Sequence, residues 1–143
     1  MRAKDFLLQI KKIDKLIHNK LKEQQLLREQ ATGTAVNLTP DKVQSSGNPH
    51  RMGDIIVKYV DMENEINEQI DRLYEIKKDV ISVIEQLEVT EYDVLHQIYV
   101  QGKSYDEVAY DCERTRSWAT TIHGKALKNV QDILNKREYE GNR

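Results

Sequence analysis

The chain is poor in cysteine, proline, glycine and large aromatics, with one Cys, two Pro, six Gly, one Phe and one Trp in 143 residues. A lone Cys112 excludes an internal disulfide and suits a reducing compartment. It reads as a small apolar core residue, and with His96 and His123 scattered around it no metal set forms, so neither metal nor other cofactor is expected. Few prolines and glycines leave little to interrupt helices. No stretch approaches the roughly 20 apolar residues that cross a bilayer, and charges recur through residues 1–14 where a secretory signal needs an apolar run. The protein is therefore expected in the cytoplasm with no membrane partner, and the sequon Asn37-Leu38-Thr39 reads as a chance match. There is no glycine-rich phosphate loop, HExxH, paired-cysteine ligand set or nucleophile motif. Isolated acids such as Glu63 and Glu65 read as solvated, so an enzyme is not expected. Net charge is only −2, which leaves attraction to nucleic acid to local clusters.

What is present is helical periodicity. Residues 3–31 contain no proline or glycine, and Phe6, Ile10, Ile13, Ile17, Leu21 and Leu27 mark an apolar stripe widened by Leu7, Leu16 and Leu26. Residues 54–88 form a second long helix. There Ile56, Tyr59, Ile66, Ile70, Leu73, Val80, Ile84 and Leu87 recur at steps near 3.5, with Lys77 interrupting the seam. Residues 1–31 carry eight Lys/Arg and four Asp/Glu; residues 54–93 carry four and twelve. Opposite signs favour pairing of the two helices.

The resulting expectation is an all-α chain. Its N-terminal part, residues 1–88, is a long coiled-coil-like helical hairpin joined by a polar loop at 32–53 that holds both prolines. That loop is expected to be disordered, or to form a short helical turn near residues 40–43, with partner binding as the functional alternative. Two such helices bury little alone, so self-association into a homodimer through the apolar stripes is expected beside, or instead of, the hairpin. The plain reading of this half is a spacer or oligomerisation coil. The functional one is a docking surface for RNA polymerase or another transcription protein, with the acidic segment 54–93 as contact.

Residues 102–134 carry the most information. Ser104 precedes a short helix, Tyr105–Asp111, with Tyr105, Val108 and Ala109 inward. Cys112, Glu113 and Arg114 connect, and Thr115 is a good N-cap for a second helix. That helix places Ala119, Ile122, Ala126, Val130 and Ile133 on one face. Residues 114–137 hold Arg114, Arg116, Lys125, Lys128, Lys136 and Arg137 against Asp132 alone, whereas the preceding helix has Asp106, Glu107 and Asp111 and no cation. This is the layout of a helix-turn-helix with a basic second helix, the part that lies in a DNA major groove; the bland reading of such a charge run is a solvated surface. The domain is expected over 89–137, followed by a disordered tail at 138–143.

Residues 94–134 resemble the fourth conserved region of bacterial sigma factors, which reads the upstream promoter element. The run 115–127 carries the likeness: the capping Thr115, then Arg116, the apolar positions 119 and 122, and Lys125-Ala126-Leu127. Val94, Leu95, Tyr99 and Gly102-Lys103-Ser104 resemble the helix and turn before that motif. Over its whole length the chain is similar to small phage-encoded transcriptional regulators of Gram-positive bacteria, of the ArpU and RinA type. It departs from the sigma pattern at the turn, where Glu113 and Arg114 replace a small residue and an aliphatic one. Glu113 there implies a different turn or strain. Ser117 and Trp118 stand where charged residues are frequent, so base preference should differ. The chain lacks anything resembling the regions that melt DNA.

The resemblance implies a phage-type regulator of transcription acting on double-stranded DNA in a bacterial host. Arg116 and Ser117 are expected at base edges. Thr120 and Thr121 are expected against phosphate or bases, and Arg114, Lys125 and Lys128 against the phosphate backbone. Thr115 caps within the same interface, and Trp118 packs over the turn or meets the sugar-phosphate backbone. Two other functions fit the same layout: a DNA-packaging recognition subunit resembling small terminases, and a helical adaptor whose head binds protein.

Overall fold

In a computed structural model, residues 1–32 and 49–142 are described, with side chains of the second helix described from residue 53 onward. The chain is all-α, with no strand among the described residues. Helix α1 spans Ala3–Ala31 and α2 spans Pro49–Ile84. Three further helices follow: α3 at Val89–Leu95, α4 at Tyr105–Asp111 and α5 at Arg116–Gly141. A π-helical turn at His96–Val100 continues α3, closed by the Gln101 amide on the His96 carbonyl at 3.0 Å. Such a turn accommodates one residue beyond α-helical spacing. Gly102, at φ +74°, then reverses the chain in a conformation that glycine adopts without strain.

Helix α2 starts earlier and stops earlier than its periodicity suggests. Pro49 suits a first helical turn, where its fixed φ fits and its missing N–H costs nothing, so residues 49–53 are helical rather than part of a polar loop. At the other end, the Gln86 and Leu87 amides bond the Val83 and Ile84 carbonyls at 3.2 and 3.1 Å. This tight turn carries half-buried Leu87 onto the core. The expected helical turn or partner loop around residues 40–43, and the sequon at 37–39, lie outside the described residues.

The expected tail at 138–143 is helical through Gly141, and the Asn142 amide bonds the Glu138 carbonyl at 3.2 Å. Arg137 on Asp79 at 3.2 Å and the N-terminal ammonium on Glu138 at 3.4 Å help to hold this last stretch.

The chain divides into two compact units, and the division differs from the expected boundary at residue 88. One unit joins Met1–Asp14 to Glu75–Arg143; the other is Lys15–Tyr74. The cause is a shared core in the first unit. Ala3, Leu7 and Ile10 of α1 and Val80, Val83 and Ile84 of α2 pack with Leu95, Ala126, Val130 and Leu134. Lys77, the interruption in the seam, is held by Asp14 at 2.6 Å.

In the second unit the two helices run antiparallel. Gln24 Nε2 donates to Asn67 Oδ1, and Arg28 Nε donates to Glu63 Oε1 at 2.6 Å. Among the described residues, the buried apolar side chains here are Ile17, Ile66 and Ile70. Leu16, Leu21, Leu26 and Ile56, expected within the stripes, are exposed.

Candidate nucleic-acid interface

Helix α4 is started by Ser104, whose hydroxyl accepts the Glu107 amide at 3.2 Å. Its inner face is Val108 and Ala109, packed with Val94 and Ala119. Residues 112–115 then turn the chain. The Arg114 amide bonds the Ala109 carbonyl at 2.8 Å, and Glu113 takes φ +55°. The turn therefore keeps the left-handed residue that glycine fills without strain, but with a side chain that crowds the backbone. Thr115 caps α5, its Oγ1 accepting the Trp118 amide at 3.1 Å.

Helix α5 has two unlike faces. Ala119, His123, Ala126, Val130 and Leu134 are buried. Ser117, Thr120, Thr121, Gly124, Lys125 and Lys128 are exposed. Ile122, expected in the core, is half-buried against it. Lys125 and Lys128 enter none of the ion pairs among the described residues. The hydroxyls of Thr120 and Thr121 both donate to the Ser117 carbonyl, at 3.0 and 2.8 Å. Their oxygens keep acceptor capacity, and donation outward requires a rotation of the hydroxyl.

The two arginines near the turn are held against the protein. Arg116, expected to face bases, lies 3.3 Å from Asp106 of α4 and 6.0 Å from the Tyr105 ring centre. Both partners of that ion pair are about two-thirds exposed, so its release costs little. Arg114 stacks its guanidinium 5.6 Å from the ring centre of half-buried Trp118. Trp118 packs on the cluster of Val94, Val108, Ala109 and Ala119. Beside it an open groove of about 570 Å³ carries Glu88, Glu91 and Asp93 opposite Arg114 and Lys125, a mixture that selects no ligand charge.

A polar centre lies beneath α5, outside the residues expected at the interface. His123 Nε2 lies 2.8 Å from the Tyr99 hydroxyl and its Nδ1 lies 3.3 Å from that of Tyr105. A neutral imidazole serves both, one nitrogen accepting and the other donating. Burial, then the Lys4 charge, holds the His123 pKa below its ordinary value. Burial, then neighbouring Tyr105, pushes the Tyr99 phenol up to about 12. The signal was available: Ala119, His123, Ala126 and Val130 follow steps of four, three and four, placing the histidine on the inner face. Glu91 was missed likewise. It is buried, and Asn129 Nδ2 donates to both its carboxylate oxygens at 2.9 Å, so this acid of segment 54–93 is used internally.

The Cys112 thiol is half-buried and packs on the same core as Trp118, 3.8 Å from Asp93 Oδ2. No metal-binding group of His, Cys, Asp and Glu occurs among the described residues, and no helix among them is long and apolar enough to cross a membrane. Compared with protein-family models, curated proteins and solved structures, the chain matches none.

Proposed function

We propose that this protein is a sequence-specific, double-stranded-DNA-binding regulator of transcription of the phage type, acting in the bacterial cytoplasm. In this reading α4 and α5 are a helix-turn-helix, and the antiparallel α1 and α2 are a helical hairpin for self-association or docking on RNA polymerase. The observation that carries it is the outer face of α5. Ser117, Thr120, Thr121, Gly124, Lys125 and Lys128 form a row of small polar residues and exposed cations, directly after a capped turn, with the opposite face anchored in a core. Small side chains let a helix approach base edges, and lysines supply counterion release at flanking phosphates.

Arg116 is the base-reading candidate in this scheme: its exposed pair with Asp106 is released at little cost, freeing the guanidinium for a bidentate bond to guanine. Ser117 stands beside it at the start of the helix. Arg114, Lys125 and Lys128 position the duplex without specifying sequence. Thr115 acts through its cap and Trp118 through packing that fixes the turn. The resemblance to sigma region four supports the same assignment. No catalytic step enters this function.

Selection from a random duplex-DNA pool tests it, with Arg116→Ala run in parallel. A motif enriched by the native protein and lost by the variant is the expected result. Absence of enrichment, or equal loss by the variant on specific and random DNA, would overturn the base-reading role.

A further inference from the structure

Among its described residues, the helix pair within 15–74 exposes more apolar side chains than it buries. Against buried Ile17, Ile66 and Ile70 stand Leu21, Ile55, Ile56, Val57, Val60 and Tyr74, all between 45 and 59 % exposed. Helices in water draw most of their stability from packing an apolar face, and contiguous exposed apolar surface marks an interaction site. Ile17, Ile66 and Ile70 are already used within the chain, so a partner must meet the exposed flank beside them.

The antiparallel register explains where this surface lies. Gln24 meets Asn67 and Arg28 meets Glu63, four residues on along one helix for four back along the other. Continued, that register brings Ala31, the end of α1, opposite Val60. Residues of α2 before Val60 thus have no α1 residue opposite them among the described residues. Ile56 lies one turn before Val60 and Tyr74 lies two heptads after it, so the three share one flank of α2, beside Asn67, which meets α1.

Charge selects the occupant. Residues 15–31 carry four Lys/Arg and two Asp/Glu; residues 53–74 carry two and six. A partner of one sign is drawn to one helix and repelled by the other. A two-fold-related copy sets α1 of each protomer along α2 of its partner and brings opposite signs together twice, as a self-complementary interface requires. A standard interface takes roughly 800 Å² from each partner, which half-exposed Leu, Ile, Val and Tyr side chains spread over several helical turns can supply.

We infer that a second copy of this chain docks on the exposed flank marked by Leu21, Ile56, Val60 and Tyr74, forming a symmetric four-helix dimer. The inference deepens the proposed function, resting on it only for the consequence that two DNA-reading heads are carried together. It is tested without DNA, so its failure leaves the DNA reading untouched.

Sedimentation velocity of the full chain, from about 1 to 100 μM, reads the association by mass action. The native protein should sediment at twice 16.7 kDa. The double variant Ile56→Glu/Val60→Glu should sediment as monomer with unchanged helical circular dichroism. Tyr74→Lys provides an independent variant on the same face should the double variant lose helical signal, and should weaken association at least tenfold. A native monomer throughout this range, a dimer unaffected by these folded variants, or a ring of eight or more subunits would overturn the inference. The last would point to DNA packaging.

Discussion

His123 and Tyr99 meet at 2.8 Å beneath α5, joining that helix to the π-helical turn before α4. Because His123 is buried and its pKa is lowered, the folded protein binds that proton less readily than the unfolded chain, whose imidazole titrates near about 6.5. Where the unfolded state binds more protons, stability rises with pH. The histidine's contribution is thus full above about pH 6.5 and declines as pH falls below it toward the folded pKa. Urea unfolding at several pH values, for native protein and His123→Gln, should show curves whose difference changes over that window. A pH-independent difference would sink the assignment.

Glu113 occupies the left-handed region at φ +55°, which costs an L-residue roughly 1–2 kcal/mol. Glycine removes that strain but adds unfolded-state entropy of roughly 0.5–1 kcal/mol. Glu113→Gly should therefore stabilise the protein by about 0.5–1 kcal/mol. A lower thermal midpoint in the variant would contradict the strained turn.

Leu7 is fully buried in the core that holds α5. Leu7→Ala should cost about 2–5 kcal/mol, and hydrogen exchange should report the loss at amides of residues 126–134 as well as within α1. Protection lost in α1 alone would show that the N-terminal helix is no part of that core.

Lys128 is exposed and enters no ion pair among the described residues. As a phosphate contact, Lys128→Ala should weaken binding to every DNA sequence alike and reduce the slope of log affinity against log salt by about 0.9. An unchanged slope would remove Lys128 from the interface.

At Gly124 an added Cβ meets nothing within 4 Å. Alanine there should stabilise α5 by about 1 kcal/mol. If the duplex lies against this face, the same methyl should lower DNA affinity. Gains in both stability and affinity would show that nothing approaches Gly124 closely.

Much of the local structure was legible in the chain. Ser104 and Thr115 announce α4 and α5 because a hydroxyl before an apolar-periodic run satisfies amides that the helix leaves unpaired. The all-α class follows from periodicity near 3.5 with few breaking residues. What a face meets is less legible than which residues share it. Leu7 and Leu21 both read as stripe residues, yet one is buried and the other exposed, because the second lies at a flank of the helix pair. The core gathers Leu7 and Ile10 from one end of the chain with Val130 and Leu134 from the other, a meeting that periodicity along the sequence does not show. The nine residues proposed for DNA lie on α5 and its turn. Arg114 and Arg116 are held by Trp118 and by Tyr105 and Asp106, partners that a one-dimensional pattern could not reveal.

The unit formed from Met1–Asp14 and Glu75–Arg143 also bears on synthesis. Chains generally begin folding from the N-terminal side as they leave the ribosome, and α1 emerges with Leu7 and Ile10 exposed. Their neighbours Ala126, Val130 and Leu134 are translated more than a hundred residues later. Leu7 and Ile10 must therefore wait until residues 126–134 have been made, and the core closes only after that. A nascent chain stalled before residue 126 would carry an open apolar flank, a ready substrate for chaperones, and truncations from the C-terminus should expose the N-terminus to proteases.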